Sequence, residues 1–107
     1  MKQKKLKRGD VVRLPRADRV DKEFLRRWGT GPFIITRAVK HQSGEVFYEF
    51  KTPAGERPIN DKVGINHPKG NRWQFHDESV ESGYVVVDDF LTKVLKLKQN
   101  ETKIKAR

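Results

Sequence analysis

Short apolar runs separated by glycine, proline and asparagine constrain this chain more than any other feature of its sequence. The most apolar β-branched run extends from Phe33 to Val39, between Gly31-Pro32 and the turn signal Gln42-Ser43-Gly44. Runs of this length and composition predict strands, and the residues that separate them predict turns. The chain is therefore predicted to be mainly β, with short strands.

Further strands are predicted over 11–14, 45–52, 72–76 and 84–87, and the second of these forms a hairpin with 33–39. Alternation places Tyr48 and Phe50 on one face of the hairpin and Phe47 on the other. Trp73 and Phe75 share a face of the strand over 72–76 and are expected in the core. Phe47 is the aromatic residue that we expect to be exposed.

One helix is predicted within 16–28, because Val20, Phe24 and Trp28 recur at intervals of four residues. Either Asp18 or Asp21 can cap its start. We expect Trp28 to close one end of the fold.

Two segments are harder to assign. The stretch 53–71 contains three prolines, three glycines and three asparagines, so we expect a long loop there. The end of the chain fits either a helix capped by Asp88 or Asp89, with Phe90, Val94 and Leu97 on one face, or a tight turn at Asp88 to Leu91 followed by an edge strand. In the strand, Leu95 and Leu97 alternate with lysines. We favour the strand.

Three segments carry a resemblance to a known superfamily. Gly9-Asp10-Val11-Val12-Arg13-Leu14, Gly31-Pro32-Phe33-Ile34-Ile35-Thr36 and the closing Asp88-Asp89-Phe90-Leu91-Thr92-Lys93-Val94 resemble the SH3-like small barrels, which include the KOW and Tudor types. Residues 26–35 also resemble the C-terminal DNA-contacting domains of retroelement integrases. The matched positions cover less than a third of the chain.

The resemblance implies an SH3-like small barrel of five or six short strands, with one short inserted helix and a long loop. In this group the first strand commonly follows a Gly-Asp turn, and a one-turn helix commonly precedes the last strand. The sequence shows no aromatic cage, so the resemblance does not extend to methyl-lysine recognition.

Most of the excess positive charge lies at the two ends of the chain. The formal net charge is +10, of which 1–10 and 96–107 contribute +4 each, whereas 77–89 contains five acidic residues and no basic one. Segments of such charge density resist collapse. We therefore expect a basic flexible arm over 1–8, a barrel domain over 9–95 and a basic flexible tail over 96–107.

Lysine-rich arms neutralise phosphates and release counterions, which gives affinity without sequence selectivity. We therefore predict non-specific binding of DNA or RNA, with an affinity that falls roughly as the fourth or fifth power of the salt concentration. The predicted binding residues are the basic groups of the two arms and of the body, together with two aromatic rings beside them: Lys4, Lys5, Lys7, Arg8, Arg26, Arg27, Trp28, Phe47, Lys69, Arg72, Lys96, Lys98, Lys103 and Lys105.

Other functions find less support in the sequence. No histidine pair has metal-ligand spacing, no serine lies beside a base, and Gly29-Thr30-Gly31 lacks the lysine of a phosphate loop. We expect a non-catalytic protein without metal or cofactor. With no apolar segment of membrane length and no secretory signal, we expect a cytoplasmic location and no membrane partner. The alternative is a protein-interaction module that uses the loop over 53–71.

Overall fold

The computed structural model describes residues 5–60 and 71–105, with side chains described as far as Lys98. The elements in chain order are β1 (Val11–Arg13), a 3-10 turn (Ala17–Arg19), α1 (Lys22–Trp28), β2 (Phe33–Lys40), β3 (Val46–Lys51), β4 (Gln74–His76), α2 (Asp77–Glu81), β5 (Val86–Val87) and α3 (Asp89–Lys105).

The five strands form one antiparallel sheet in the order β4-β3-β2-β1-β5. The β2–β3 hairpin places Ile35 opposite Phe50 and Val39 opposite Phe47, and a register shift lies between Ile35 and Arg37. The mainly β prediction is confirmed. Among the described residues, β4 and β5 are the two edges of the sheet, and no pairing between them closes it.

The buried face of the sheet is aromatic. Tyr48 and Phe50 are buried on β3 while Phe47 is only half-buried, so the predicted alternation is confirmed. The rings of Phe50 and Phe75 stack with their centroids 4.0 Å apart, and Phe24 of α1 meets Phe50 edge-on at 6.0 Å. Trp28 and Trp73 are partly buried against the same core.

The predicted helix over 16–28 is divided in two. A 3-10 turn covers Ala17–Arg19, and Asp21 then caps α1 by accepting hydrogen bonds from the backbone N–H groups of Glu23 and Phe24. Phe24 of α1 is buried in the core, and Gly29, with a φ of 72°, follows the end of the helix.

The segment after Asp88 is helical, so the favoured turn and edge strand are wrong. The α3 helix has 17 residues, and Thr92 on its second turn is 7% exposed. The Thr92 Oγ1 atom accepts a hydrogen bond from the Val11 N–H at 2.9 Å and donates one to the Asp88 carbonyl at 2.8 Å. This contact ties the start of the helix to β1, a tertiary interaction that the local pattern does not contain.

Residues inside the predicted long loop pair with residues at and just after its C-terminal end. Ile59 and Arg72 form an isolated antiparallel bridge, and the Asn60 N–H donates to the Asn71 carbonyl at 2.6 Å. Residues 61–70 lie outside the described residues. In the part of the chain that is described, no helix has the length and apolarity that a bilayer crossing requires.

Candidate nucleic-acid interface

The two basic ends of the chain meet at one groove, which we call the lysine groove. It has a volume of about 440 Å³ and lies between the N-terminal segment, β5 and α3. Its lining consists of four lysines, two carboxylates and three less polar residues: Lys5, Lys7, Lys93, Lys96, Asp10, Asp89, Val86, Val87 and Thr92.

The N-terminal side of the groove is held against the sheet. Leu6 is 5% exposed and belongs to the core, although it lies within the predicted arm. The Asp10 carboxylate accepts a hydrogen bond from the Lys7 N–H at 2.8 Å, and the Gly9 N–H donates to the Ile35 carbonyl at 2.8 Å. Lys5 and Lys7 are therefore exposed beside an anchored backbone. The predicted mobility of the two end segments stays a prediction.

The other side of the groove is the first half of α3. Asp88 caps the helix by accepting a hydrogen bond from the Leu91 N–H at 2.9 Å. This hydrogen bond and the neighbouring Arg13 guanidinium hold the pKa of the Asp88 carboxyl below its ordinary value. Lys93 and Lys96, three residues apart, follow on the exposed surface of the helix.

The charge of the groove is positive because its carboxylates are fewer than its lysines. Asp10 and Asp89 face four lysines, whereas Asp88 is paired with Arg13 at 3.0 Å. Within residues 5–60 and 71–98, none of the four groove lysines forms a salt bridge with a carboxylate. Their ammonium groups are available to an external anion.

Three predicted binding residues, Lys5, Lys7 and Lys96, line this groove. Lys93 also lines the groove but was not predicted from the sequence, because its position there depends on the helical geometry of α3. Arg8 and Lys98 are exposed but do not line the groove. Four more predicted residues have no described side chain: Lys103 and Lys105 belong to α3 by their backbone, and Lys4 and Lys69 lie outside the described residues.

The remaining predicted residues lie elsewhere. Arg26 on α1 pairs with Glu23 at 2.7 Å, and Arg27 beside it is exposed. Trp28 packs against the core, and Arg72 is exposed at the loop bridge.

Phe47 is less exposed than its strand pattern suggested. Its ring lies edge-to-face between the imidazoles of His41 and His76, at centroid distances of 4.9 and 4.7 Å. The three rings therefore cover one another on the outer face of the hairpin.

His76 is engaged on both ring nitrogens. Its Nδ1 accepts a hydrogen bond from the Glu78 N–H at 3.0 Å, and its Nε2 lies 3.1 Å from Glu45 Oε1. A ring whose Nδ1 accepts carries its proton on Nε2 when neutral, so both nitrogens are occupied. Among the described residues, no group of three or more His, Cys, Asp or Glu side chains could hold a metal ion.

A second cavity of about 220 Å³ lies on a more apolar part of the surface. It is bounded by the segment before α1, by β4 and by the turn before β5, with Phe24, Trp73 and Tyr84 in its lining. The Arg19 guanidinium lies over the Tyr84 ring, 5.5 Å from its centroid. Cavities of this kind accept apolar ligands or side chains.

Comparison of the chain with protein-family models, with curated proteins and with solved structures finds no match in any of the three.

Proposed function

We propose that this protein is a non-catalytic nucleic-acid-binding module that contacts the phosphate backbone of DNA or RNA without sequence selectivity. The observation that carries the proposal is the lysine groove, in which residues from both ends of the chain meet around one concave surface. A concave surface of one charge sign concentrates a polyanion more effectively than the same charges spread over the surface.

The chemistry of the groove suits phosphates rather than base edges. Lysine is a flexible point charge that meets a phosphate oxygen from many directions, whereas the planar groups of Arg, Asn and Gln offer base edges a fixed pair of hydrogen bonds. The groove lining contains none of these three residue types. Contacts of this kind give affinity that depends on salt and little on sequence.

The SH3-like assignment is part of the proposal. It is supported by the sequential β1–β4 meander with β5 returning to β1, and by the turn at Gly9-Asp10 that precedes β1. The short helix α2 before β5 also fits, since a one-turn helix commonly precedes the last strand in this group. A cytoplasmic location stays our expectation.

The proposal can be tested by neutralising the groove. We expect the quadruple variant Lys5→Gln, Lys7→Gln, Lys93→Gln and Lys96→Gln to bind a labelled duplex more weakly than the wild type at about 50 mM salt. Four phosphate contacts give a slope of log affinity against log salt of about −4, and the variant should lose most of that slope. Fluorescence anisotropy between about 50 and about 200 mM salt measures both quantities.

A matched control removes the same charge from elsewhere. The variant Lys22→Gln, Lys40→Gln, Lys51→Gln and Arg57→Gln changes four basic residues that do not line the groove. It should keep most of the affinity and of the salt slope. Equal losses in the two quadruple variants would show that net charge, and not the groove, determines binding.

The second candidate function is a protein-interaction module, and the 220 Å³ cavity is the observation that favours it. The neighbouring helix α2 contains Asp77, Glu78 and Glu81, which repel nucleic acid and leave that surface to a protein. If the wild type binds DNA and RNA oligonucleotides weakly and without salt dependence, this second function is the better account.

A further inference from the structure

Phe90 is the one aromatic residue in the described part of the chain whose side chain is mostly exposed. It is 73% exposed, whereas the other described aromatic side chains are buried or half-buried. A mostly exposed phenyl ring near exposed lysines offers a face for stacking.

The position of Phe90 relates it to the lysine groove. It is the second residue of α3, between Asp89 and Thr92, which both line the groove. Residues three apart on a helix have their Cβ atoms about 5–6 Å apart, so Lys93 is a direct surface neighbour of Phe90. The ring therefore stands at the rim of the groove.

The two aromatic residues that the sequence predicted for binding are engaged elsewhere. Trp28 packs against the core, and the Phe47 ring lies between two imidazoles. Phe90 alone among the described aromatic residues combines an open face with neighbouring lysines.

We propose that Phe90 is a stacking platform for an unpaired base, so that the lysine groove binds single-stranded nucleic acid in preference to duplex. The proposal rests on the proposed function and deepens it by naming the substrate class. Proteins that bind single strands combine a cationic groove for the backbone with aromatic rings for the bases, and every base offers a face for stacking. Duplex bases are already stacked on both sides and cannot use the ring.

Leu97 provides an internal comparison. It is 63% exposed and lies seven residues after Phe90, two helical turns along the same face. An aliphatic side chain has no π face to offer a base. A docking site for an apolar protein surface would use Phe90 and Leu97 alike, whereas base stacking uses Phe90 alone.

The experiment compares three labelled probes of about 15 nucleotides at about 50, 100 and 200 mM salt: a single strand of thymidines, the same strand with every base removed, and a mixed-sequence duplex. The abasic strand keeps the phosphates and lacks only the bases. The proteins are the full chain and its variants Phe90→Ala, Phe90→Trp and Leu97→Ala. Anisotropy titration gives each dissociation constant.

We expect Phe90→Ala to weaken binding of the thymidine strand by about 5- to 100-fold. Its binding to the abasic strand and to the duplex should stay within about twofold of the wild type, because those probes gain nothing from the ring. Phe90→Trp should bind the thymidine strand at least as tightly as the wild type. Leu97→Ala should resemble the wild type on all three probes.

Equal weakening of the thymidine and abasic strands by Phe90→Ala, or no weakening at all, overturns the stacking role. A loss from Leu97→Ala as large as that from Phe90→Ala overturns it in favour of an apolar docking surface. Salt-dependent wild-type binding to the abasic strand and the duplex would leave the proposed function standing in either case. Wild-type binding to none of the probes, or binding without salt dependence, would refute both.

Discussion

Thr92 joins the two parts of the chain that form the lysine groove. Its Oγ1 atom accepts from the Val11 N–H of β1 and donates to the Asp88 carbonyl at the start of α3. Val11 and Thr92 are both buried, so water cannot replace the lost acceptor. A buried donor left without a partner costs about 1–3 kcal/mol, which is more than the net contribution of about 1 kcal/mol from a typical hydrogen bond.

Replacing Thr92 with Val keeps the branched shape and removes the acceptor. We expect Thr92→Val to lower the free energy of unfolding by about 1–3 kcal/mol, measured by urea denaturation. Thr92→Ser keeps the hydroxyl and loses one methyl group, so it should lower the free energy of unfolding by only about 0.8 kcal/mol. A Val variant as stable as the Ser variant would contradict the role of the hydrogen bond.

Helix α3 shows why part of the fold could be predicted from the sequence and part could not. The β2–β3 hairpin could be predicted from local sequence, because it contains a β-branched run, a turn signal and an alternating pattern. The burial of Tyr48 and Phe50 agrees with that alternation. After Asp88 the local signals conflict, because alternating Leu and Lys residues also suit an edge strand. In the folded chain the start of the helix is bonded to β1 through Thr92, a tertiary contact that no local pattern reveals.

Some residues of the candidate site could likewise be predicted from the sequence, and others could not. Lys5, Lys7 and Lys96 could be proposed as phosphate contacts from charge density alone, and they do line the groove. Lys93 and Phe90 could not, because their positions relative to the groove exist only once α3 is a helix. Trp28 and Phe47 were predicted to bind nucleic acid because of their neighbours in sequence. In the structure Trp28 packs against the core, and the Phe47 ring lies between two imidazoles.

The cap of α3 predicts a pH dependence of stability. The pKa of Asp88 is lowered in the folded protein, first by the Leu91 N–H and then by Arg13. A carboxyl whose folded pKa is depressed contributes stability above its unfolded pKa, about 3.9, and loses that contribution as the pH falls through the folded value. Asp88→Asn should therefore lower the Tm at pH 7.

The difference in Tm between Asp88→Asn and the wild type should shrink as the pH falls below about 4 and vanish in stronger acid. Calorimetry at a series of pH values measures it. Glu56→Gln, at an exposed turn, is the control for loss of one carboxylate and should leave the Tm nearly unchanged. A Tm difference that is the same at low and neutral pH would show that the carboxylate charge is not its source.

At the scale of the whole molecule, the fold brings distant basic residues together because the N-terminal segment leads into β1 and α3 follows β5, which pairs with β1. The N-terminal segment leads into β1 through the Gly9 contact with β2, and α3 begins where β5 leaves β1. The N-terminal segment therefore contributes both to the charge of the groove and to the stability of the domain, because the core residue Leu6 lies between Lys5 and Lys7.

Removal of residues 1–8 should therefore reduce stability as well as binding. Loss of a buried Leu side chain typically costs about 2–5 kcal/mol, so the truncated chain and the point variant Leu6→Ala should both unfold at lower urea concentration than the wild type.

The variant Lys5→Gln with Lys7→Gln should keep the wild-type unfolding midpoint and lose nucleic-acid affinity, because it removes only exposed charge. Stability and affinity measured on the same three variants separate the two roles of the segment. If the truncated chain matched the wild type in its unfolding midpoint, the N-terminal segment would be a phosphate-binding arm without a structural role.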